Sequence, residues 1–540
     1  MISRNKNSKI EFGDFQTPLD LALDVCSVIV RAGFSPASII EPTCGLGTFL
    51  MAALEAFPAA SNFIGVDQNS TYVHEANCAT ASFKRNRRIQ IVQGDFFATD
   101  WPDIIGKLPS PLLILGNPPW VTNATLGSLG GDNLPVKANE DNFRGIDALT
   151  GKANFDISEW MLRKNLQWLN QTPGMLAVLC KTTVARRVLT YAWSHCFPVV
   201  YAEMRRIDAH LHFGVSVDAC LLVVMVQSGA KTQDCSDYVS LRSTEPNTVF
   251  GFRDGRIVAD VNLYDRWRDL VGCGLSGWRS GIKHDCSGIF ELEPKVTHFE
   301  NGFGQRVEVE TEVLFPLLKS SDLVRKRQPR KWLLVPQRTM SESPHELQRI
   351  APKAWHYLSA NCALLDKRSS SIYRNRPRFS IFGVGDYSFS PWKVAISGLY
   401  KTLQFVKISP FQGRSVVLDD TCYFFACQSE QECNLLHEMI QSQPAQEFLS
   451  ALVFWDAKRP ITAQILNLLD LAVLARFLGM ESKTTRVLAE RQLVRYTEGS
   501  HQQLLFRQET NDYSIDLNND TDSLIARQRA AEGAPRRHRR

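Results

Sequence analysis

Two consecutive prolines, Pro118 and Pro119, close a short aliphatic run, and few positions in the chain limit its folding as tightly. The run is Leu112-Leu113-Ile114-Leu115-Gly116, with Pro111 before it and Asn117-Pro118-Pro119-Trp120 after it. Five apolar residues between turn signals read as a strand buried on both faces, the kind that parallel sheets use. The prolines fix φ and carry no N–H, so the strand ends there and the turn offers carbonyl acceptors only. In open α/β sheets, ligand chemistry gathers at the carboxyl ends of such strands. An amide, two carbonyls and an aromatic plate at that place suit the capture of a flat group by its amino hydrogens and its face.

The rest of the chain supports a sheet around that strand. From about residue 36 to residue 227 short apolar runs alternate with amphipathic stretches, which predicts a mostly parallel sheet. Strands are expected at Ser38–Glu41, Asn62–Asp67, Ile89–Asp95, Leu112–Gly116, Met175–Cys180, Val199–Met204 and Ala219–Val226. Helices are expected near Thr48–Phe57, Thr71–Phe83, Ile157–Trp168 and Val184–His195. An earlier helix should start at Thr17 as cap, with Pro18 in its first position and Asp20 in its first turn. Val121–Ala153, rich in Gly, Asn and Asp, follows neither period; its place after the Pro-Pro turn predicts a substrate-gating loop.

Beyond residue 230 the alternation fades, and from Trp332 to Leu478 aromatic and basic residues interleave. The expected division is a catalytic domain over 1–230, a mixed α/β recognition region over 231–480 and a polar segment over 481–540. That last segment is expected to be helical near 483–492 and then a disordered Arg-rich tail. The net charge of +5 is carried entirely by that tail, whose residues 527–540 hold six arginines and one acid. The remainder is neutral, so phosphate binding has to come from local clusters. No run of 18 apolar residues occurs, and Met1–Lys9 is polar and basic, so neither a membrane span nor a secretory signal is expected. The 13 cysteines lie scattered through apolar stretches without paired metal spacing, which fits buried thiols in a cytoplasmic protein. No metal site is expected: His195, His210 and His212 lack acidic neighbours at ligand spacing.

Upstream of the Pro-Pro turn lies Glu41-Pro42-Thr43-Cys44-Gly45-Leu46-Gly47, an acid at a strand end followed by Gly-x-Gly at a helix entry. It lacks the third glycine of the dinucleotide fingerprint and the Lys-Ser/Thr of a triphosphate loop. An acidic strand end suits a cationic ligand better, such as the ammonium of S-adenosylmethionine (SAM). Cys44 reads as a packing residue, with no His or Lys beside it to stabilise a thiolate. Asp67 ends the next strand, where it could accept ribose hydroxyls, and Asp95-Phe96 ends the third, offering an acid for an adenine amino group and an aromatic wall.

In that order these motifs resemble an amino-group DNA methyltransferase of the N6-adenine type. Phe15-Gln16-Thr17-Pro18 is similar to that family's N-terminal SAM-contacting motif, and Glu41–Gly47 to its glycine motif. Asp67 and Asp95 match its ribose- and adenine-binding acids, and Asn117–Trp120 matches its catalytic motif, with Trp in place of the commoner Tyr or Phe. The motif order resembles the gamma arrangement of restriction-modification enzymes. Looser likenesses lie at Gly383–Phe389, Lys393–Gly398 and Ala457–Thr462. The resemblance implies a Rossmann-like, seven-stranded SAM-dependent catalytic domain. It also implies direct methyl transfer to an adenine flipped from double-stranded DNA, and it leaves room for a separately encoded endonuclease. Expected site residues are therefore Phe15, Thr17, Pro18, Glu41, Pro42, Gly45, Gly47, Asp67, Asp95, Phe96 and Asn117 for SAM. Asn117, Pro118, Pro119 and Trp120 are expected to carry catalysis. Arg374, Arg376 and Arg378, alternating on one face of a strand, and Lys458-Arg459 are the expected DNA contacts. An RNA or protein-glutamine methyltransferase, or an inactive DNA-binding relative, are the other readings.

Overall fold

The structure, a computed structural model, describes residues 15–85, 87–120, 156–272 and 277–484. The expected gating loop at Val121–Ala153 and the tail from residue 485 lie outside the described residues. The chain divides into two compact units at Ile257/Val258.

The first unit is built on one large sheet. Strands β1 (Ser38–Glu41), β2 (Asn62–Asp67), β3 (Arg88–Gln93) and β4 (Leu112–Gly116) run parallel in the spatial order β3-β2-β1-β4. Next to β4 comes β5 (Gly174–Lys181), also parallel, while β7 (Ala219–Val226) is antiparallel to β5 and to β6 (Val199–Ile207). β4 is buried at all five positions, as its aliphatic run requires. The helices are α1 (Leu19–Arg31), α2 (Thr48–Ala56), α3 (Ser70–Thr80), α4 (Trp101–Gly106), α5 (Ile157–Leu169), α6 (Thr182–Ser194) and α7 (Ala209–Phe213). No described helix is long and apolar enough to cross a membrane.

The sheet does not stop at the seven expected strands. β8 (Asp234–Tyr238) pairs parallel to β6, β9 (Thr248–Arg253) runs antiparallel to β8, and β10 (Arg256–Val258) completes ten strands. These strands are short, mixed in polarity and only half buried, so their pattern resembles loop. The Asp254-Gly255 pair between β9 and β10, with φ of 51° and 74°, is a two-residue hairpin turn in the commonest sequence form. The first compact unit thus continues past residue 230 because the sheet does.

Thr17 does not cap α1. The cap position is Pro18, with no side-chain bond, and the Thr17 hydroxyl instead lies 3.4 Å from the Asn117 amide nitrogen.

The second unit is mixed α/β with two sheets. A four-stranded antiparallel sheet orders β11 (Trp278–Ser280), β20 (Cys422–Cys427), β17 (Trp392–Ser397) and β18 (Val406–Ile408). A six-stranded one orders β14 (Arg306–Val307), β13 (Phe299–Glu300), β12 (Glu291–Pro294), β16 (Lys331–Leu334), β15 (Leu314–Leu318) and β19 (Val417–Leu418). Phe290, Leu292, Leu314, Leu333, Ala354 and Leu358 are among the residues of its main core.

Arg374, Arg376 and Arg378 are exposed, but the expected strand is absent: Ser371–Tyr373 is a single 3-10 turn and non-strand turns continue to Phe379. Pro377 withholds a ladder donor. Arg368 supplies the order instead. Its guanidinium donates to the carbonyls of Leu365, His284, Ser380 and Arg378 and lies 3.8 Å over the Tyr373 ring. Lys has three donors on a point charge and cannot reproduce that fork. Arg368→Lys should therefore destabilise the second unit by about 1–3 kcal/mol, the cost of leaving buried carbonyls unpaired, read as a lowered Tm. An unchanged Tm would show that the loop is held by other contacts.

Candidate active site

The carboxyl ends of the parallel strands open on a cavity of about 440 Å³. Its lining includes Phe15, Thr17, Pro42, Gly45, Asp67, Asp95, Phe96, Asn117 and Pro119 from among the expected residues. Gln16, Tyr72, Phe97, Ile157 and Met161 also line it. Pro18, Glu41, Gly47, Pro118 and Trp120 do not.

Gly47 caps α2 in the left-handed region, at φ 76°, and a Cβ there would sit 2.9 Å from that of Ala76. A larger residue would strain the turn and push α3 away. The Gly45 N–H donates to Asp67 Oδ2 at 2.8 Å, and the Asn69 N–H donates to Oδ1 at 2.8 Å. Asp67 thus ties the glycine loop to the turn after β2 while still facing the cavity. Gln16 secures the loop from the other side, its Oε1 accepting from the Leu46 N–H at 3.2 Å. Cys44 is buried, and desolvation beside the Glu41 and Asp67 carboxyls pushes its thiol well up, so it stays a packing residue.

Asp95 is exposed, and its Oδ1 accepts from the Phe97 N–H at 2.9 Å. Phe96 is nearly buried and sits among Phe97, Trp101, Trp160 and Trp168, with ring centroids 5.5–6.1 Å apart. Trp160 and Trp168 come from α5, so the aromatic wall is closed by residues far along the chain that local motif reading does not find.

The turn after β4 is held from two directions. Asn117 Nδ2 donates to the Phe15 carbonyl at 3.1 Å, and the Trp120 indole N–H donates to the Leu179 carbonyl at 3.3 Å. Asn117 Oδ1 is buried and has no hydrogen-bond partner among the described residues. An unpaired buried amide oxygen costs roughly 1–3 kcal/mol, so this one is an acceptor in waiting. Trp120, expected as an open plate, is only 6% exposed. Its ring packs at 6.0 Å from Phe15 and at 5.3 Å, edge to face, from Phe213 of α7. Phe213 ends a five-residue helix bounded by Asp208 and by Gly214 at φ 71°, a capping pattern that sequence reading passed over.

Glu41, expected as a cofactor contact, lies under the loop instead, 3% exposed, with Oε2 accepting from the Leu50 N–H at 3.2 Å. Burial holds its carboxyl well above the ordinary carboxylate range; the Leu50 N–H opposes this and the Asp67 charge adds to it. On the second unit, Arg378 pairs with Asp366 at 2.9 Å and Arg459 approaches Asp420 at 3.6 Å, while Lys458 is exposed. Arg325, Lys326 and Arg327, which sequence reading passed over, are all exposed and form no ion pair among the described residues.

The raised Glu41 carboxyl has a pH signature. Unfolded, it ionises from about pH 4.3 upward; folded, only at higher pH, so its contribution is complete below the unfolded value and is lost as pH rises toward the folded one. Glu41→Gln keeps an oxygen for Leu50 and cannot ionise. It should match the wild-type Tm below the unfolded value and gain on it progressively as pH rises above that. A Tm difference that is constant with pH would mean that Glu41 is ionised in the fold.

No protein-family model matches the chain. It is 43% identical over 479 residues to the type II methyltransferase M.NspV of Nostoc sp. (strain ATCC 29411 / PCC 7524), spanning 88% of this chain and 99% of that protein. Among solved structures it is similar to the type IIL restriction-modification enzyme MmeI in complex with DNA, with a TM-score of 0.50 and 13% identity. That alignment covers 86% of this chain but only 66% of MmeI, so the likeness is one of fold, to part of a longer protein. A fainter likeness, TM-score 0.34 at 10% identity, is to the type IIG restriction endonuclease BpuSI, over 87% of this chain and 59% of that one. With that identity to M.NspV over most of both proteins, the chain belongs to the type II methyltransferases, the DNA methyltransferases of restriction-modification systems.

Proposed function

We propose that the chain transfers a methyl group from SAM to the exocyclic N6 of an adenine turned out of duplex DNA, as the modification partner of a separately encoded endonuclease in the cytoplasm. One observation carries this reading: Asn117 Oδ1 is a buried acceptor with no hydrogen-bond partner among the described residues, while the same amide's N–H group is committed to Phe15. An amino donor is what that arrangement lacks.

The residues of the cavity fit SAM. Its volume of about 440 Å³ lies in the range of small-ligand sites. Asp67 lines the cavity at the end of β2 and would take the ribose hydroxyls. Asp95 would take the adenine amino group against the Phe96–Phe97 wall, and Pro42, Gly45 and Phe15 would surround the methionyl end. Bound there, SAM would supply a sulfonium methyl to which an amine is a sufficient nucleophile.

Asn117 Oδ1 and the Pro118 carbonyl each accept one N6 hydrogen, which draws the nitrogen lone pair out of ring conjugation. Neither amide oxygen is basic enough to keep the released proton, which leaves to water. Catalysis is then positioning and electrostatics, with no covalent enzyme intermediate. Extruding the base costs a few kcal/mol, and aromatic stacking of about 1–3 kcal/mol offsets part of it. For Trp120 to stack, its ring must exchange a contact with Phe15 or Phe213 for one with the base.

Incubation with tritiated SAM and duplex DNA, followed by nucleoside digestion, should place the label in N6-methyladenine; label in a cytosine derivative, in RNA or in protein overturns the reading. Asn117→Ala should lose about 100-fold or more in methyl transfer and keep SAM affinity within about threefold; retained turnover sinks the role of Asn117. The exposed Arg325-Lys326-Arg327 turn is assigned to DNA phosphates. Replacing all three by alanine should flatten the slope of log K against log salt by nearly 3, at about 0.9 per phosphate contact. An unchanged slope would place that turn off the DNA path.

A further inference from the structure

We infer that Lys181 is a positioning residue for methyl transfer: its ammonium joins the Trp120 carbonyl to the Asp156 carboxylate and so sets how the Asn117 and Pro118 oxygens meet the target amino group. The inference rests on the role proposed for Asn117.

Lys181 is the last residue of β5, and its Nζ lies 3.1 Å from the Trp120 carbonyl oxygen and 2.7 Å from Asp156 Oδ2. The ion pair is largely buried, with side chains 22% and 6% exposed. Asp156 is fully engaged, because its other oxygen accepts from the Ser158 N–H at 3.1 Å and from the Ser158 hydroxyl at 2.5 Å, capping α5. A buried pair of this kind contributes little net stability against an apolar replacement, and its attested use is to fix register. Register is what this turn needs. Two residues before Lys181, on the same face of β5, the Leu179 carbonyl takes the Trp120 indole N–H. β5 therefore grips Trp120 by both its ring and its backbone, while Phe15 grips Asn117.

Between these grips stand Pro118 and Pro119, whose φ angles are fixed. Few torsions remain to absorb a shift, so a displacement of the Trp120 peptide passes to the Pro118 carbonyl. Lys181 does not line the cavity, so it acts through the turn and does not touch the ligand. The compact ammonium suits a site with two acceptors in different directions, where a planar guanidinium would impose its own geometry.

The test uses the full-length chain, tritiated SAM and a duplex carrying the target site, with single-turnover methyl transfer, the SAM and DNA Kd values, and Tm. Lys181→Met should slow single-turnover transfer by about 10–100-fold, the scale of a misplacement near 1 Å, with both Kd values within about threefold. Lys181→Arg, which keeps the charge, should recover part of the rate. Asp156→Asn keeps the helix cap and removes the ion pair, so it should slow transfer in the same way and serves as the test if Lys181→Met does not fold. The double variant should be no slower than the slower single one, because both break one unit. A wild-type single-turnover rate in Lys181→Met or in Asp156→Asn, losses that multiply in the double variant, or a loss explained entirely by weaker SAM binding would each overturn the inference. Wild-type chain that labels no DNA overturns the underlying reading, and this inference with it.

Discussion

The site depends on how a single amide is shared. β4 is followed by Asn117 and then by two prolines that carry no N–H, so the ladder stops there and the Asn117 side chain needs partners of its own. Its nitrogen finds the Phe15 carbonyl, a contact spanning 102 residues of sequence. Between Phe15 and Thr17 stands Gln16, whose amide oxygen takes the Leu46 N–H of the glycine loop. Three consecutive residues ahead of α1 thus join the loop after β1 to the turn after β4. The same bonds decide which end of the Asn117 amide is spent and which is left, so the acceptor at the cavity is a consequence of packing.

The acids around the loop divide by burial. Asp67 faces the cavity and has two backbone donors, which stabilise its charge. Glu41 is buried with one donor and an acid nearby, which favours its neutral form. Two carboxyls so close are more stable with one of them protonated.

The strands around the site were legible because aliphatic runs such as Leu112–Gly116 and Met175–Cys180 can bury only between helices. The cavity residues that end those strands were legible for the same reason: Asp67, Asp95 and Asn117 stand where apolar pattern gives way to polar. What failed to show depends on contacts between distant segments. Glu41 looked like a ligand residue because strand position carries no information about depth below a loop. Trp120 looked open because Leu179 and Phe213, which cover it, are 59 and 93 positions away. The strands β8–β10 escaped because short, half-buried strands of mixed polarity read as loop, although Asp254-Gly255 was a usable hairpin signal. Arg374, Arg376 and Arg378 misled because spacing of two marks one face only if a strand forms, and Arg368 fixes a turn there.

The same lesson governs where DNA can be held. With the chain neutral outside its last 14 residues, the sign of a surface is decided locally. Arg378 and Arg459 each stand beside an acid, and half-exposed pairs of this kind are worth only about 0–1 kcal/mol. A phosphate could displace either acid at small cost, but the acid would then lie close to the phosphate and repel it. Arg325, Lys326 and Arg327 form no ion pair among the described residues and carry no such penalty. Lys326 sits at a φ of 49°, with its N–H on the Leu323 carbonyl, and the Arg327 N–H rests on the Asp322 carbonyl at 2.9 Å. The backbone under the three charges is therefore fixed before any partner arrives. A phosphate contact made there spends side-chain entropy only, and that favours this turn over the more arginine-rich loop around Arg374 as the main electrostatic grip of the second unit.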